Sequence, residues 1–570
     1  MTAPTAGQCE VGVLICGVNV THDGCIAVID NNRLLFSVEV EKVDNGRRYS
    51  ALGGFERIGQ ILAAEGLDPA RVDSFVLDGW YEEDGATSPN VVADYNGAPL
   101  RLPVAPYIDQ GIDKGPLQRY VFDGVPGTCL AGGYASYAHA TTHVLGAYCS
   151  SPFAGQQQNA LVMTWDGGML PRLYSVEPQD AAIKFLGPLF PLMGYVFVEF
   201  CMALKPFRDD SLTSGLEMLQ HNLETAGKAM AYAALGTIEP DLFPRFDRLF
   251  DVLADTMHPS NPSIGRVVAE RTRDAFPGMS SADLIATFQA YIGKMLVDGF
   301  ARVLHRRFGS QPMALCMSGG CALNIKWNSA LRDSGMFSSI WIPPFPNDSG
   351  AALGTACCEM VHRSGRFELE WDVYSGPSLE TTACPQGWSA RPCDERQLAT
   401  LLHEQGEPVV VLHGRAELGP RALGNRSILA PAVRSGMKDE LNRIKGRANY
   451  RPVAPICLES RAHEVFDPGT PDPYMLFDHQ LRQGWGERIP AIVHLDGSAR
   501  LQTIGADQRG TATRRILEEY AKLSGIPVLC NTSANLSGRG FFPNAESAAQ
   551  WGGTKYVWAN GVLYSDPRRA

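Results

Sequence analysis

The chain lacks several features that would each have fixed a class. Its fourteen cysteines include no Cys-x-x-Cys pair, so neither a thiolate zinc site nor a disulfide framework is suggested; they read as buried thiols. No basic segment followed by an apolar core and a small-residue cleavage site opens the sequence, so no secretory leader is expected and the reading is cytoplasmic. The longest apolar run, 185–204, is broken by Pro188, Pro191, Gly194 and Glu199, which makes it a poor membrane span. Cations are in deficit, with a net charge of −11, which disfavours nucleic acid as a partner and is compatible with a polycationic small molecule. The segment Thr225-Ala-Gly-Lys-Ala-Met-Ala231 has a Gly-Lys pair without the remaining glycine and Ser/Thr spacing of a P-loop.

Against that acidic background two blocks stand out. Residues 414–427 read Gly-Arg-Ala-Glu-Leu-Gly-Pro-Arg-Ala-Leu-Gly-Asn-Arg-Ser, and 442–455 read Asn-Arg-Ile-Lys-Gly-Arg-Ala-Asn-Tyr-Arg-Pro-Val-Ala-Pro. Seven cations, Arg415, Arg421, Arg426, Arg443, Lys445, Arg447 and Arg451, are interleaved with glycine and proline and follow the apolar run 408–412 without a helical stripe. A solvated basic face is the usual meaning of a charge run. Here glycines free the backbone to approach a ligand and arginine forks match phosphate oxygens, so the blocks predict a phosphate site.

In chain order, 11–18, Cys25–Asp30 and 33–40 read as three strands with a polar loop, Asn19-Val-Thr-His-Asp-Gly24, after the first. The pattern recurs at 160–165, 172–176 and 182–185, again with a polar loop, Asp166-Gly-Gly-Met, after the first strand. Two such units facing each other form a cleft with backbone amides and one acid on each side, the plan of the actin-like superfamily. Between the repeats, His139 and His143 share one face of a helix over 137–148, the spacing that lets two imidazoles reach one metal ion. Asp348, in the proline-rich loop 343–350 before a helix over 351–362, is the candidate third ligand. An isolated pair of this kind more often marks an ordinary amphipathic helix, and here the flanking motifs favour the metal. A long amphipathic helix over 281–308 leads to a strand, 313–317, and the loop Ser318-Gly-Gly-Cys-Ala-Leu-Asn324, where backbone and Asn324 can meet a ligand.

The polar, proline-bearing stretch after the 351–362 helix marks a boundary, giving units over 1–362 and 396–570 joined by 363–395. The second unit alternates strands (409–412, 428–431, 489–494, 528–529, 557–558) with helices over 511–523 and 545–550. It also carries Arg500 and the row Asn531, Ser533, Asn535 at the end of a strand.

Together these motifs resemble the antibiotic and Nod-factor O-carbamoyltransferases: Gly17-x-Asn19-x-x-His22-Asp23, His139-x-x-x-His143, Asp166-Gly, Gly227-Lys228-x-Met230, Ser318-Gly-Gly-x-Ala-Leu-Asn324, Asp348-Ser-Gly, the block from Glu417 to Ser427, Arg451-Pro-x-Ala-Pro455 and Asn531-Thr-Ser533. The resemblance implies a mixed α/β chain, with a duplicated actin-like (Kae1-like) N-terminal domain followed by a YrdC-like domain. It implies that ATP with Mg²⁺ and carbamoyl phosphate form a carbamoyl-adenylate in the second domain. There Arg415, Arg421, Arg426, Lys445, Arg447, Arg451 and Arg500 would face the phosphates, with Asn531, Ser533 and Asn535 on the nucleotide. In the N-terminal cleft Asp166, Gly167, Gly168, Lys228, Gly319, Gly320 and Asn324 would line the nucleotide side. Iron(II) on His139, His143 and Asp348 would serve transfer to a sugar hydroxyl, with His22 or Asp23 as base. Within the family the sequence looks like the branch acting on aminoglycosides. Two departures are visible: Glu39-Val-Glu41-Lys42 in place of Glu-Glu-Arg, expected to alter the acceptor side, and Lys445-Gly-Arg447-Ala448, which removes an acid beside the phosphates. Three rivals are weighed. A tRNA threonylcarbamoyl transferase would call for a basic face, a hydrogenase-maturation carbamoyltransferase for paired Cys-x-x-Cys motifs, and an actin-like switch has no use for the two histidines.

Overall fold

A computed structural model describes residues 12–569 except 83–87, 110–114, 213–214, 259–260, 262, 310 and 509–510. Alternating and continuous runs of Ile, Val, Leu and Cys in the first half form strands buried on both faces. In the first sheet these are β1 (Leu14–Asn19), β2 (Cys25–Asp30), β3 (Arg33–Glu39) and β4 (Ser74–Asp78). A separate hairpin, β5 (Asn90–Tyr95) and β6 (Ala98–Pro103), precedes β7 (Tyr120–Phe122) and β8 (Tyr134–Tyr137). The second sheet holds β9 (Ala160–Thr164), β10 (Arg172–Glu177), β11 (Ala182–Pro188), β12 (Met313–Ser318) and β13 (Phe337–Trp341).

The orders are β3-β2-β1-β4-β8-β7 and β11-β10-β9-β12-β13. In each sheet the first three strands run antiparallel and the next two join in parallel, β4 on β1 and β8 on β4, β12 on β9 and β13 on β12. The chain therefore repeats one topology twice, the duplication expected from its recurring polar loops and the hallmark of an actin-like fold. Each copy sends a helix from its last shared strand into the space between the sheets: His139–Cys149 after β8 and Ala351–Ser364 after β13. They cross at glycines. A β-carbon on Gly354 would stand 2.2 Å from the Thr142 carbonyl, so only glycine permits this approach.

The third sheet runs, in spatial order, Ser389–Pro392, Val562–Ser565, Tyr556–Ala559, Val409–Leu412, Arg426–Pro431, Val528–Ser533, Ala454–Leu458 and Gln502–Ile504. Its first strand lies inside the stretch read as a connector, because Ser389–Pro392 pairs antiparallel with Val562–Ser565. The strand expected at 489–494 is not formed. Gly484 in a left-handed turn starts a short helix, Trp485–Arg488, and Pro490 opens a 3-10 turn, Pro490–Ile492; proline has no amide to give a ladder.

Candidate active site

The crossing of the two glycine-notched helices sets the first half of the site. His139 begins one helix and Asp348 precedes the other, so their contact brings both to the same spot. His139 Nε2 and His143 Nε2 stand 3.1 Å apart, and Asp348 Oδ1 lies 3.6 and 3.4 Å from them. Asp166, at the turn after β9, completes a group whose candidate ligand atoms lie within 4.8 Å of one another. Expected on the nucleotide side, it lines the cavity and also offers a carboxylate to this cluster, fixed by the Gly320 amide at 2.6 Å and the Tyr107 hydroxyl at 3.0 Å. Asp78, at the end of β4, accepts from His139 Nδ1 at 2.7 Å and from the Thr142 hydroxyl at 3.0 Å. That bond aims Nε2 at the cluster. Burial alone would lower the His139 pKa; Asp78 and Asp348 lift it to about 9. Asp348 lies well below the carboxylate range because His139 and His22 outweigh its burial. Its Oδ2 is buried without a hydrogen-bond partner, and two imidazole nitrogens point at one another. A cation seated among these atoms would resolve both, so the donor set fits a metal ion. His22 Nε2 approaches Asp348 Oδ2 at 3.4 Å while its Nδ1 meets Asp23 at 3.2 Å.

The second half is a nest of cations. Arg421, Lys445, Arg447 and Arg451 line the cavity, with Arg500 close behind. Lys445 is 2% exposed, and its ammonium rests on neutral oxygens only: Asn535 Oδ1 at 2.7 Å, Ser533 Oγ at 2.9 Å and the Ser533 carbonyl. Burial and mutual repulsion push its pKa well down, together with that of Arg421, and bring Arg447 to about 9 and Arg500 to about 10. The Nε atoms of Arg421, Arg447, Arg451 and Arg500 have no hydrogen-bond partner. A buried positive cluster of this kind carries a desolvation and repulsion cost that a counter-anion would offset.

One cavity of about 240 Å³ joins the two halves. Its wall includes His22, Asp23, Asp166, Gly167, Lys228, Gly320, Asn324 and Asp348 from the first half of the chain and Arg421, Lys445, Arg447, Arg451, Ser533 and Asn535 from the second. Gly319 lies one residue behind, its positive φ letting the chain turn against the Trp165 carbonyl, and the Gly168 carbonyl accepts from Tyr81.

Several expected ligands have other partners. Arg415 pairs with Glu65 at 2.8 Å and with Ser378. Arg426, 1% exposed, gives its guanidinium to the carbonyls of Pro377, His413, Gly414 and Asn425, bracing the loop from within. Asn531 spends its amide on the Ala422 carbonyl and Gln502. Ser533 and Asn535 reach the cavity as the seat of Lys445. The Glu39 to Lys42 segment, expected to bear on the acceptor side, holds the second half of the chain. Lys42, 2% exposed, donates to Glu39 at 2.8 Å, to the Gly419 carbonyl at 2.7 Å and to the Glu417 carbonyl, while Glu39 accepts from the Gly419 amide at 2.7 Å. Gly419, at φ +85°, also presses on the Pro344 carbonyl of the loop that bears Asp348. Sequence reasoning missed this clasp, Asp78, Arg48 and Tyr49, because a lone charged residue at a strand end or in a loop carries no spacing signal.

Fold and site together define an actin-like α/β enzyme in which one cavity meets a buried histidine and aspartate cluster at Asp166 and Asp348 and a group of buried cations on its other wall. The signature of the carbamoyltransferase N-terminus matches residues 14–114 and 128–357, and that of the carbamoyltransferase C-terminus matches 399–557. Nodulation protein U of Rhizobium tropici is 45% identical over 98% of this chain and 96% of its own. The 3'-hydroxymethylcephem-O-carbamoyltransferase of Streptomyces clavuligerus is 34% identical over 93% of this chain and 94% of its own. Among solved structures, the activator of the 2-hydroxyisocaproyl-CoA dehydratase from Clostridium difficile aligns with 62% of this chain and 95% of its own at 13% identity and a TM-score of 0.32, too slight a likeness to bear on activity. The chain belongs to the carbamoyltransferase family and is an O-carbamoyltransferase. No helix among the described residues is long and apolar enough to cross a membrane.

Proposed function

We propose that the protein is an ATP-dependent O-carbamoyltransferase that makes a carbamoyl-adenylate in the cationic pocket and spends it at the histidine cluster. The observation that carries this reading is the buried group of Arg421, Lys445, Arg447 and Arg451 on the wall of the cavity that also takes in His22, Asp166 and Asp348, the last two being members of the histidine cluster. Atom balance sets the steps. Water releases inorganic phosphate from carbamoyl phosphate; a carbamate oxygen then attacks the α-phosphorus of ATP, and Mg²⁺-bound pyrophosphate leaves. Five cations suit the charge that builds on those oxygens. In the second step an acceptor hydroxyl oxygen attacks the carbamoyl carbon, its proton passes to a base, and AMP leaves. His22, held by Asp23, is the base candidate, since its ring reaches the cluster where the carbonyl would lie. Iron(II) on His139, His143, Asp166 and Asp348 would supply Lewis-acid polarisation of that carbonyl. Excluding bulk water from the shared cavity protects the mixed anhydride. A YrdC-like second half suits the adenylate-forming role, and the free thiols, Cys149 beside Cys357 among them, suit a reducing cytoplasm.

For the acceptor we propose a sugar hydroxyl. An aminoglycoside such as tobramycin suits Asp23 and Glu224 on the cavity wall. The identity with nodulation protein U over nearly the whole chain favours a Nod-factor oligosaccharide as the second candidate. The test incubates the purified protein with carbamoyl phosphate, ATP, Mg²⁺ and each acceptor, following AMP, pyrophosphate and product mass. We expect α–β cleavage of ATP and gain of one carbamoyl group. Lys445→Ala should slow adenylate formation by about 10²–10³-fold. His139→Ala should block transfer alone. ATP left intact between its α and β phosphates would sink the adenylate mechanism.

A further inference from the structure

We propose that Arg48 is a phosphate ligand of the cationic pocket, supplied to it by the N-terminal half of the chain. The proposal rests on reading that pocket as a phosphate site. Arg48 and Tyr49 line the shared cavity beside Arg421, Lys445 and Arg451, although they belong to the loop that follows β3. That loop is fastened to the second half by backbone. The Arg48 amide donates to the Gly538 carbonyl at 3.1 Å, the Gly540 amide to the Gly46 carbonyl at 2.9 Å, and Arg47 bridges Arg539 in antiparallel register. The docking pins the Arg48 backbone beside Ser537 and Gly538 on the cavity wall and leaves its side chain directed along the cavity.

The guanidinium has weak tethers. It reaches the Pro420 carbonyl at 3.5 Å, lies 3.9 Å from Glu41 Oε2 and stacks on Tyr49 at 4.9 Å. An arginine whose five donors are so thinly used, set among cations, has reason to be there only if an anion joins them. Arg48 also differs from its neighbours. Burial would lower its pKa, but Tyr49, Glu41, Asp23 and Glu224 hold it up, whereas burial, and after it the neighbouring cations, push Arg421 and Lys445 down. It shares the cavity wall with Arg421, Lys445 and Arg451 and also with Asp23 and Glu224.

Calorimetric titration of the full-length protein with pyrophosphate and with AMP tests this. Arg48→Met should weaken binding by about tenfold or more, the equivalent of about 1.4 kcal/mol. Arg47→Met, in the same loop with its side chain exposed, should bind like the parent. Because Arg48 also touches Pro420, Arg48→Gln and Arg48→Lys are compared. A structural role would leave Lys no better than Gln, whereas a phosphate ligand is rescued by Lys, which keeps the charge, and not by Gln. Parent-like binding by Arg48→Gln, with Lys445→Ala impaired, would overturn the proposal and leave the phosphate pocket standing. A parent protein that binds neither pyrophosphate nor AMP would remove the pocket reading itself.

Discussion

At the scale of single residues, the site works through partners that stand one bond away from the chemistry. Asp78 touches no cavity atom, yet its carboxylate fixes both the tautomer and the tilt of His139. Removing such a support costs a metal site about 10–100-fold in affinity. Asp78→Asn is therefore expected to bind Fe²⁺ that much more weakly, read by spectroscopic titration with Co²⁺ as a stand-in, while pyrophosphate binding is unchanged. The same scale explains what the sequence made legible. His139 and His143 announced themselves by spacing, and Asp348 by its setting in a proline-rich loop. Asp78 ends a strand like any acid, and Arg426 matched the cations around it while being spent on backbone carbonyls. Residue type and neighbourhood in sequence do not tell a ligand from a brace. Only the partners do.

At the scale of elements, the two sheets and their central helices were readable because hydrophobic runs and polar loops recur in the same order. The failures were local: Pro490 turned an expected strand into a 3-10 turn, and Ser389–Pro392 joined a sheet from within a segment whose prolines suggested a connector. The helix Ala351–Ser364 also carries a feature with a pH signature. Glu359, fully buried, accepts from Ser74 of β4, Tyr137 of β8, Arg119 and Arg363. Burial would raise its pKa, but these donors bring it down to about 2. A carboxylate lowered on folding stabilises above its unfolded pKa of about 4.5, and that contribution disappears as pH falls toward 2. The interaction is on the order of 2–3 kcal/mol, allowing for screening at the half-exposed Arg363. Denaturant titrations between pH 7 and 3 should show Glu359→Gln less stable at neutral pH, with the gap to the parent narrowing below about pH 4.5.

At the scale of the whole molecule, charge is segregated. A chain of net charge −11 keeps a buried group of cations at the seam between its halves. Without a counter-anion that nest is a destabilising feature, and an anion that binds the folded state alone stabilises by RT ln(1 + [L]/Kd), about 2.7 kcal/mol at a hundredfold excess over Kd. Pyrophosphate is expected to raise the melting temperature of the parent, and to do so far less in Lys445→Ala. Equal shifts in both would mean that the anion acts elsewhere.

The clasp of Glu39 and Lys42 on the 417–419 backbone bears on how such an enzyme can be taken apart. The 417–419 loop belongs by sequence to one half and is shaped by the other, and Gly419 leaves no room for a β-carbon beside Pro344 in the loop of Asp348. The two halves are therefore not interchangeable cassettes. A chimera that exchanges the C-terminal half for that of a relative must carry over residues 39–49 as well, so the working module boundary runs through the N-terminal sheet and not along the connector.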